Sequence, residues 1–203
     1  MNGVEELIAK AVQPGSRVLD IGCGDGRLLK ELVARKQVKP LGLEISLESL
    51  QQCIENGVPA LQIDIDRGLQ QFRDQQFDIA IVKQTLQVVR HPLLVFEEAL
   101  RVARECLMVF PNFAHWRNRL RLLLGGCMPV TSSLPYEWYN TPNIHLMSVH
   151  DFEVFCRQRG VRMLSQNAFG ESRLDNLLIA LGRDNLGGTG VLVHLSKAPE
   201  PGT

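Results

Sequence analysis

Apolar residues along this chain recur with two different periods. Short runs, such as Val18-Leu19-Asp20-Ile21 and Phe77-Asp78-Ile79-Ala80-Ile81-Val82, are apolar almost without interruption, as in strands buried on both faces. Between them lie longer stretches with apolar positions three and four apart, the period of a helix with one buried side. The pattern predicts strands at Arg17–Ile21, Pro40–Glu44, Ala60–Ile63, Phe77–Val82, Cys106–Phe110, Arg162–Ala168 and Gly190–Leu195. Helices are predicted at Met1–Val12, Gly26–Arg35, Ser46–Asn56, Leu93–Ala103, Trp116–Leu124 and His150–Arg159. The second helix turns Leu28, Leu29 and Leu32 inward, and the third turns Leu47, Leu50 and Ile54 inward. Gly187-Gly188 reads as a turn before the last strand. Regular alternation of strand and helix implies an α/β fold with a doubly wound, mostly parallel, seven-stranded sheet. In such a sheet the ligand crevice lies at the carboxyl ends of the first strands.

Composition narrows the class. All 203 residues are expected to form one domain, with residues 111–145 as a lid or partner-binding insertion. Hydrophobic residues make up 45 %, enough for a full core. Twenty-two basic residues balance twenty-two acidic ones, so no net field draws the chain to nucleic acid or an anionic membrane. The five cysteines are scattered and never form C-x-x-C, which suggests free thiols in a reducing compartment and no zinc knuckle. No apolar run approaches the ~20 residues of a membrane span. A soluble, cytoplasmic protein is expected.

The chemistry concentrates after the first strand. Asp20-Ile21-Gly22-Cys23-Gly24-Asp25-Gly26 places glycines at alternate positions in a strand-to-helix turn. A dinucleotide fingerprint would have its third glycine one residue later, where Arg27 stands. This spacing argues against NAD and suits S-adenosylmethionine (SAM), which has no pyrophosphate to cradle. Glu44 ends the second strand twenty residues after Gly24, where an acid can accept hydrogen bonds from ribose hydroxyls, with Ile45 beside it. Asp64 ends the third strand; it and the Ile65 amide are placed to read an adenine, with Asp66 as a competing acid. Asp20 would accept a hydrogen bond within the loop or from the methionine amino group. Gly22, Cys23 and Gly24 supply loop backbone, and Lys83 and Gln84 lie at the end of the fourth strand near the same ligand. A nucleophilic role for Cys23 is not expected, because no His or Lys sits near it in sequence.

A second cluster follows the fifth strand. Both tryptophans and both tyrosines of the chain fall between Trp116 and Tyr139, beside the basic run Arg117-Asn118-Arg119-Leu120-Arg121. His115, Trp116, Arg117, Tyr136, Trp138, Tyr139 and His145 are the candidate substrate or partner contacts, since Trp, Tyr and Arg favour binding surfaces. No third ligand is spaced to join the two histidines in a metal site.

Pro111-Asn112-Phe113-Ala114-His115-Trp116 and Pro135 through His145 resemble the MetW family of bacterial methionine-biosynthesis proteins. So do Asp20–Gly26 and Gln84-Thr85-Leu86-Gln87-Val88-Val89. The resemblance covers roughly residues 4–169 and extends in outline to the last strand, while residues 170–185 depart from the pattern. It implies a class I SAM-methyltransferase-like fold, SAM or its demethylated product S-adenosylhomocysteine as ligand, and support of the homoserine O-acyltransferase MetX. Small-molecule methyltransferases often carry E-V-L-E-H-V after strand four, and amides and a valine replace its ionisable groups here. A general base is therefore missing from that segment. Two readings follow: a SAM-binding partner of the acyltransferase, or a methyltransferase acting on a small metabolite.

Overall fold

A computed structural model describes residues 3–197. A first helix, α1 (Gly3–Ala11), precedes β1 (Arg17–Ile21), α2 (Arg27–Lys36), β2 (Lys39–Glu44), α3 (Leu47–Glu55) and β3 (Ala60–Gln62). A 3₁₀ turn at Ile65–Arg67 leads on to β4 (Phe77–Lys83), α4 (Pro92–Val102) and β5 (Ala103–Pro111). Then come α5 (Trp116–Gly125), α6 (Val149–Gln158), β6 (Val161–Phe169), α7 (Arg173–Ala180), α8 (Asp184–Gly187) and β7 (Gly190–Lys197). Met1 and Asn2 of the predicted first helix lie outside the described residues.

The seven strands form one sheet in the order β3-β2-β1-β4-β5-β7-β6. The first five in sequence run parallel, and β7 slots antiparallel between β5 and β6. This is the mostly parallel, doubly wound arrangement that the alternation implies. Side chains alternate cleanly across it. Leu19, Ile21, Ala80, Val82, Met108, Phe110, Val191 and Val193 enter a core with Phe96 and Ala99 of α4 and Phe152 and Cys156 of α6. Val18, Ile79, Ile81, Leu107, Val109 and Leu192 enter the opposite core with Ile8 of α1, Leu28, Leu29 and Leu32 of α2, and Cys53 of α3. Both faces are covered, which explains why β4 and β5 lack the polar alternation of a half-exposed strand.

Three local features differ from expectation. Leu47 and Ile54 of α3 point to solvent, and the helix buries Cys53 instead. The cause is the neighbouring glycine turn: a Cβ at Gly26 would stand 2.5 Å from Cys53 Sγ, so α3 presses its small thiol, not a leucine, against bare backbone. Second, α7 and α8 fill the stretch after β6, where no helix is predicted. A capping box starts α7, with the Ser172 hydroxyl accepting from the Asp175 amide and the Asp175 carboxylate accepting from the Ser172 amide. Third, the fourth helix begins on Pro92 at its first turn, a position where a missing N–H costs nothing.

Among the described residues, no helix is long and apolar enough to cross a membrane.

Candidate functional site

The chain changes direction across the sheet between β1 and β4, and the space at their carboxyl ends is where an α/β sheet offers a crevice. A cleft of about 330 Å³ opens there. Gly22, Glu44, Ile45, Asp64, Ile65, Asp66, Lys83 and Gln84 line it, with Leu43, Ile63, Thr85, Val88 and Val89. Seven of the ten residues expected around a cofactor therefore meet in one cavity; Asp20, Cys23 and Gly24 do not line it.

The loop is built by three glycines with positive φ, each for a different reason. A Cβ on Gly22 would lie 2.7 Å from Thr85 Oγ1, so the first glycine lets the loop pass over the end of β4. Gly26 meets Cys53, as above. Gly24 has φ +56° and nothing within 4 Å of where a Cβ would stand, so its backbone faces open space. Its amide donates to Glu44 Oε2 at 2.9 Å. The other oxygen of Glu44 accepts the amides of Ile45 and Ser46, each at 2.9 Å. One carboxylate thus clamps the glycine loop to the end of β2 and still faces the cleft. A carboxylate oxygen held by amides retains lone-pair capacity for a hydroxyl ligand.

Cys23 turns its thiol inward, 3.8 Å from Cys53 Sγ and packed under Gly42. Burial, followed by the nearby Asp20 carboxylate, pushes the Cys23 thiol far above its usual value. The thiol is thus held neutral as a packing group between the glycine loop and α3.

Asp20 is buried in the centre of the sheet, flanked by Gly42 and Ile81 on the neighbouring strands. Its Oδ1 has no hydrogen-bond partner among the described residues. Burial raises its pKa from 3.8 to about 7, with Lys83 opposing and Glu44 reinforcing the rise. The sign of the consequence is fixed. The folded state keeps a proton that the unfolded chain releases above about pH 4, so stability falls as pH rises from there to about 7. Asp20→Asn is expected to abolish this slope, gaining up to about 1.4 kcal/mol per pH unit on the parent within that window. Urea unfolding of both proteins at several pH values from about 4 to about 8 measures it.

The two neighbouring acids divide their work. Asp64 accepts the Asp66 amide at 3.1 Å and pairs with Arg67 at 3.2 Å, capping the 3₁₀ turn at the edge of the cleft. Asp66 accepts the amides of Arg90 and His91 at 3.1 and 2.8 Å. Burial opposes ionisation of Asp66, but those two amides outweigh it and its pKa is lowered. Asp66 is thus committed to holding the loop after β4, while Asp64 caps the 3₁₀ turn; both line the cleft.

That loop begins in strain. Gln84 has φ +59°, a conformation costly for a non-glycine residue and commonly met at functional sites. Its Oε1 accepts from Gln87 Nε2 at 2.6 Å. Lys83 turns the other way and pairs with Glu5 of α1 at 2.9 Å. Helix α1 is thereby tied across the rim of the cleft.

The insertion arches over a second space. Gln84, Gln87 and Val88 form one wall of a chamber of about 700 Å³, and Ser132, Ser133, Pro135, Tyr136, Pro142 and Asn143 form the opposite wall. The chamber shares Gln84 and Val88 with the cleft. Amides of Ile144 and His145 both donate to the Gln87 carbonyl, and His145 Nε2 lies 3.0 Å from the Val89 carbonyl. The end of the insertion is thus stitched to the loop after β4.

The seven insertion residues expected on a partner surface separate into two groups. Trp138 and Tyr139 are 75 % and 70 % exposed and stack edge to face at 5.7 Å. Tyr136 is exposed, and Arg117 lies over the Trp116 ring at 5.2 Å. His115 does not belong to that surface. It is 2 % exposed, with Nε2 at 3.1 Å from Asp175 Oδ1, and Trp116 Nε1 donates to the same oxygen at 2.8 Å. Asp175 Oδ2 accepts the amides of Glu171 and Ser172 at 3.0 and 2.8 Å. Burial alone would raise the Asp175 pKa, but the Trp116 indole, Ser172 and these amides hold it far below the usual carboxylate range. The polarity of His115 and Trp116 is thus spent inside the protein, tying the insertion to α7. Glu171, whose carboxylate accepts from the Ser132 hydroxyl and lines the chamber, is the site residue that the sequence reading misses. Its only signal in the sequence is that an acid precedes the Ser172–Asp175 capping box.

Comparison with solved structures places the fold. A SAM-dependent methyltransferase from Mesorhizobium loti superposes with a TM-score of 0.69 over 97 % of this chain and 99 % of its own, at 16 % identity. Among curated proteins, the bifunctional methionine biosynthesis protein MetXA/MetW of Rhodopirellula baltica is 33 % identical over 170 residues. That alignment takes in 79 % of this chain and 27 % of the relative. A ubiquinone biosynthesis O-methyltransferase of Hahella chejuensis is 30 % identical over 139 residues, 64 % of this chain and 58 % of the relative. The chain therefore spans about a quarter of the length of one relative and somewhat over half of the other. The family model described as methionine biosynthesis protein MetW matches residues 4–193, from α1 into the last strand. The glycine loop, the amide-bearing turn after β4 and the aromatic insertion are thus the parts of one family pattern, and this chain belongs to the MetW family.

Proposed function

We propose that this chain binds SAM, or S-adenosylhomocysteine, in the cleft and acts as a partner that supports a homoserine O-acyltransferase of the MetX type. The observation that carries the partnership is the Rhodopirellula relative, whose name joins MetXA and MetW in one polypeptide. Two activities that occur in one chain in one organism commonly act side by side when encoded separately.

The residues of the cleft fit the ligand. Gly24 has open space at its backbone, Glu44 presents a clamped carboxylate for ribose hydroxyls, and Asp64 with the Ile65 amide stands at the adenine end. Lys83 and Gln84 would border the methionine half. When bound, SAM would supply an electrophilic methyl group. Next to it this chain offers Gln84 and Gln87, hydrogen-bonded to each other, where a proton acceptor would be needed for an unreactive substrate. An effector role needs no such group, only different affinities for two states of a complex. Trp138 and Tyr139, large and exposed, are the contacts expected for the acyltransferase.

Co-expression tests this directly. Acyltransferase activity should change when this chain is present and change again when SAM is added; constant activity under both conditions sinks the proposal. Trp138→Ala should weaken co-purification of the two proteins, by about 2 kcal/mol for an interface anchor. The second reading, methyl transfer to a small metabolite, is favoured by the chamber that adjoins the cleft. Transfer of labelled methyl from SAM into a cell extract would establish it.

A further inference from the structure

We propose that the chamber beneath the insertion is a second ligand site, selective for a small ammonium compound. The proposal stands on the chamber's own chemistry and holds whether or not the neighbouring cleft takes SAM.

Its size, about 700 Å³, is that of a metabolite site rather than a channel or a packing defect. Its walls combine apolar surface from Val88, Pro135, Pro142 and Phe169 with hydrogen-bonding groups from Ser133 and Asn143. The charge is one-sided. Glu171 is the one ionisable acid on the wall, and no Lys, Arg or His lines the chamber among the described residues. Among the described residues no cation pairs with Glu171, and the Ser132 hydroxyl donates to its carboxylate. An anionic ligand, such as a phosphate ester or an acyl-coenzyme A, would meet this charge without compensation. A cation would be drawn to it.

A second observation points the same way. Gln87 lines the chamber and is 3 % exposed, yet its Oε1 has no hydrogen-bond partner among the described residues. Other groups of the same residue do have partners. Its Nε2 donates to Gln84, and its carbonyl accepts two insertion amides. A buried acceptor left empty is costly, and such groups in folded proteins nearly always have a partner. A ligand bearing N–H groups supplies one. Ammonium provides three donors and a charge, the complement of a carboxylate and an amide oxygen.

The probes are tyramine and 3-(4-hydroxyphenyl)propionate, which share a phenol and a two-carbon arm and differ in ending in ammonium or carboxylate. Binding is followed by amide chemical shifts of the full-length protein. Tyramine is expected to bind saturably, shifting Gln87 and Tyr136, while the carboxylate probe does not bind. Glu171→Gln keeps an acceptor for the Ser132 hydroxyl and should weaken tyramine about tenfold, the worth of a charge-assisted hydrogen bond. Gln87→Leu should also weaken it, and the exposed Glu171 variant stands alone if that buried one fails to fold. Leu123→Ala, on the exposed side of α5 and outside the chamber lining, should leave tyramine binding as in the parent. Equal binding of both probes, no saturable binding of either, or unchanged tyramine affinity in Glu171→Gln overturns the proposal.

Discussion

Replacing Asp175 by alanine should cost the fold about 3–5 kcal/mol. The carboxylate accepts from the Trp116 indole, from His115 and from two backbone amides. Its removal strands these donors away from water, and a buried donor without a partner costs about 1–3 kcal/mol. The space cannot easily close. Gly170 and Gly187 already bring backbone against Asp175, where a Cβ on either would stand 2.3 or 2.7 Å from one of its atoms. The loss should be local as well as global, because Asp175 is the link between α7 and the start of α5. Proteolysis within residues 111–145 is therefore expected to accelerate more than the overall unfolding rate. The pH dependence supplies a check of sign. With its folded pKa depressed, the ionised Asp175 contributes its full stabilisation above the ordinary carboxylate pKa and loses it as pH falls below that value. Urea unfolding should show the gap between parent and variant wide at neutral pH and shrinking in acid.

This link also shows where sequence reading stops. The strands, the sheet's helix-covered faces and the cleft are legible because each is written locally: continuous apolar runs, helical periods, acids at strand ends. Glu44 and Asp64 are found by position alone, and the structure brings both to one cavity. His115 is misread as surface for a definite reason. Its partner, Asp175, lies about 60 residues away in a segment whose helices are short and whose apolar positions, such as Leu174 and Leu177, stay exposed. Periodicity reports burial only where a helix has one clearly dry side, and α7 is held by a carboxylate and glycines instead. The same cause hides Glu171. In α3 the pattern is present but misleading, because the packing surface opposite is a bare glycine turn that admits cysteine and no leucine. Tertiary context overrides the apolar stripe at both places.

Gly24→Val should abolish measurable SAM binding, while Glu44→Ala should weaken it by about 1–3 kcal/mol, if the cleft holds that ligand as proposed. The two substitutions act on opposite ends of one hydrogen bond, from the Gly24 amide to Glu44 Oε2. Alanine at 44 removes the expected ribose acceptor and also frees the loop, since the amides of Ile45 and Ser46 lose the same carboxylate. Part of its effect is thus paid in loop order, and Glu44→Gln should recover some of it by keeping one acceptor. Valine at 24 fails differently. At φ +56° a β-branched residue is strained by about 1–3 kcal/mol, and its side chain would occupy the open space that the loop backbone faces. Nothing within 4 Å opposes that side chain, so the protein should still fold. Gly22→Ala offers the contrast, because its Cβ would collide with Thr85 Oγ1 at 2.7 Å and disturb the end of β4. Calorimetric titration with SAM, run beside thermal unfolding, separates the cases: Gly24→Val folded but blind to SAM, Gly22→Ala impaired in both. A Gly24→Val protein that binds SAM like its parent would remove the ligand from this cleft, because no valine at that position leaves room for it.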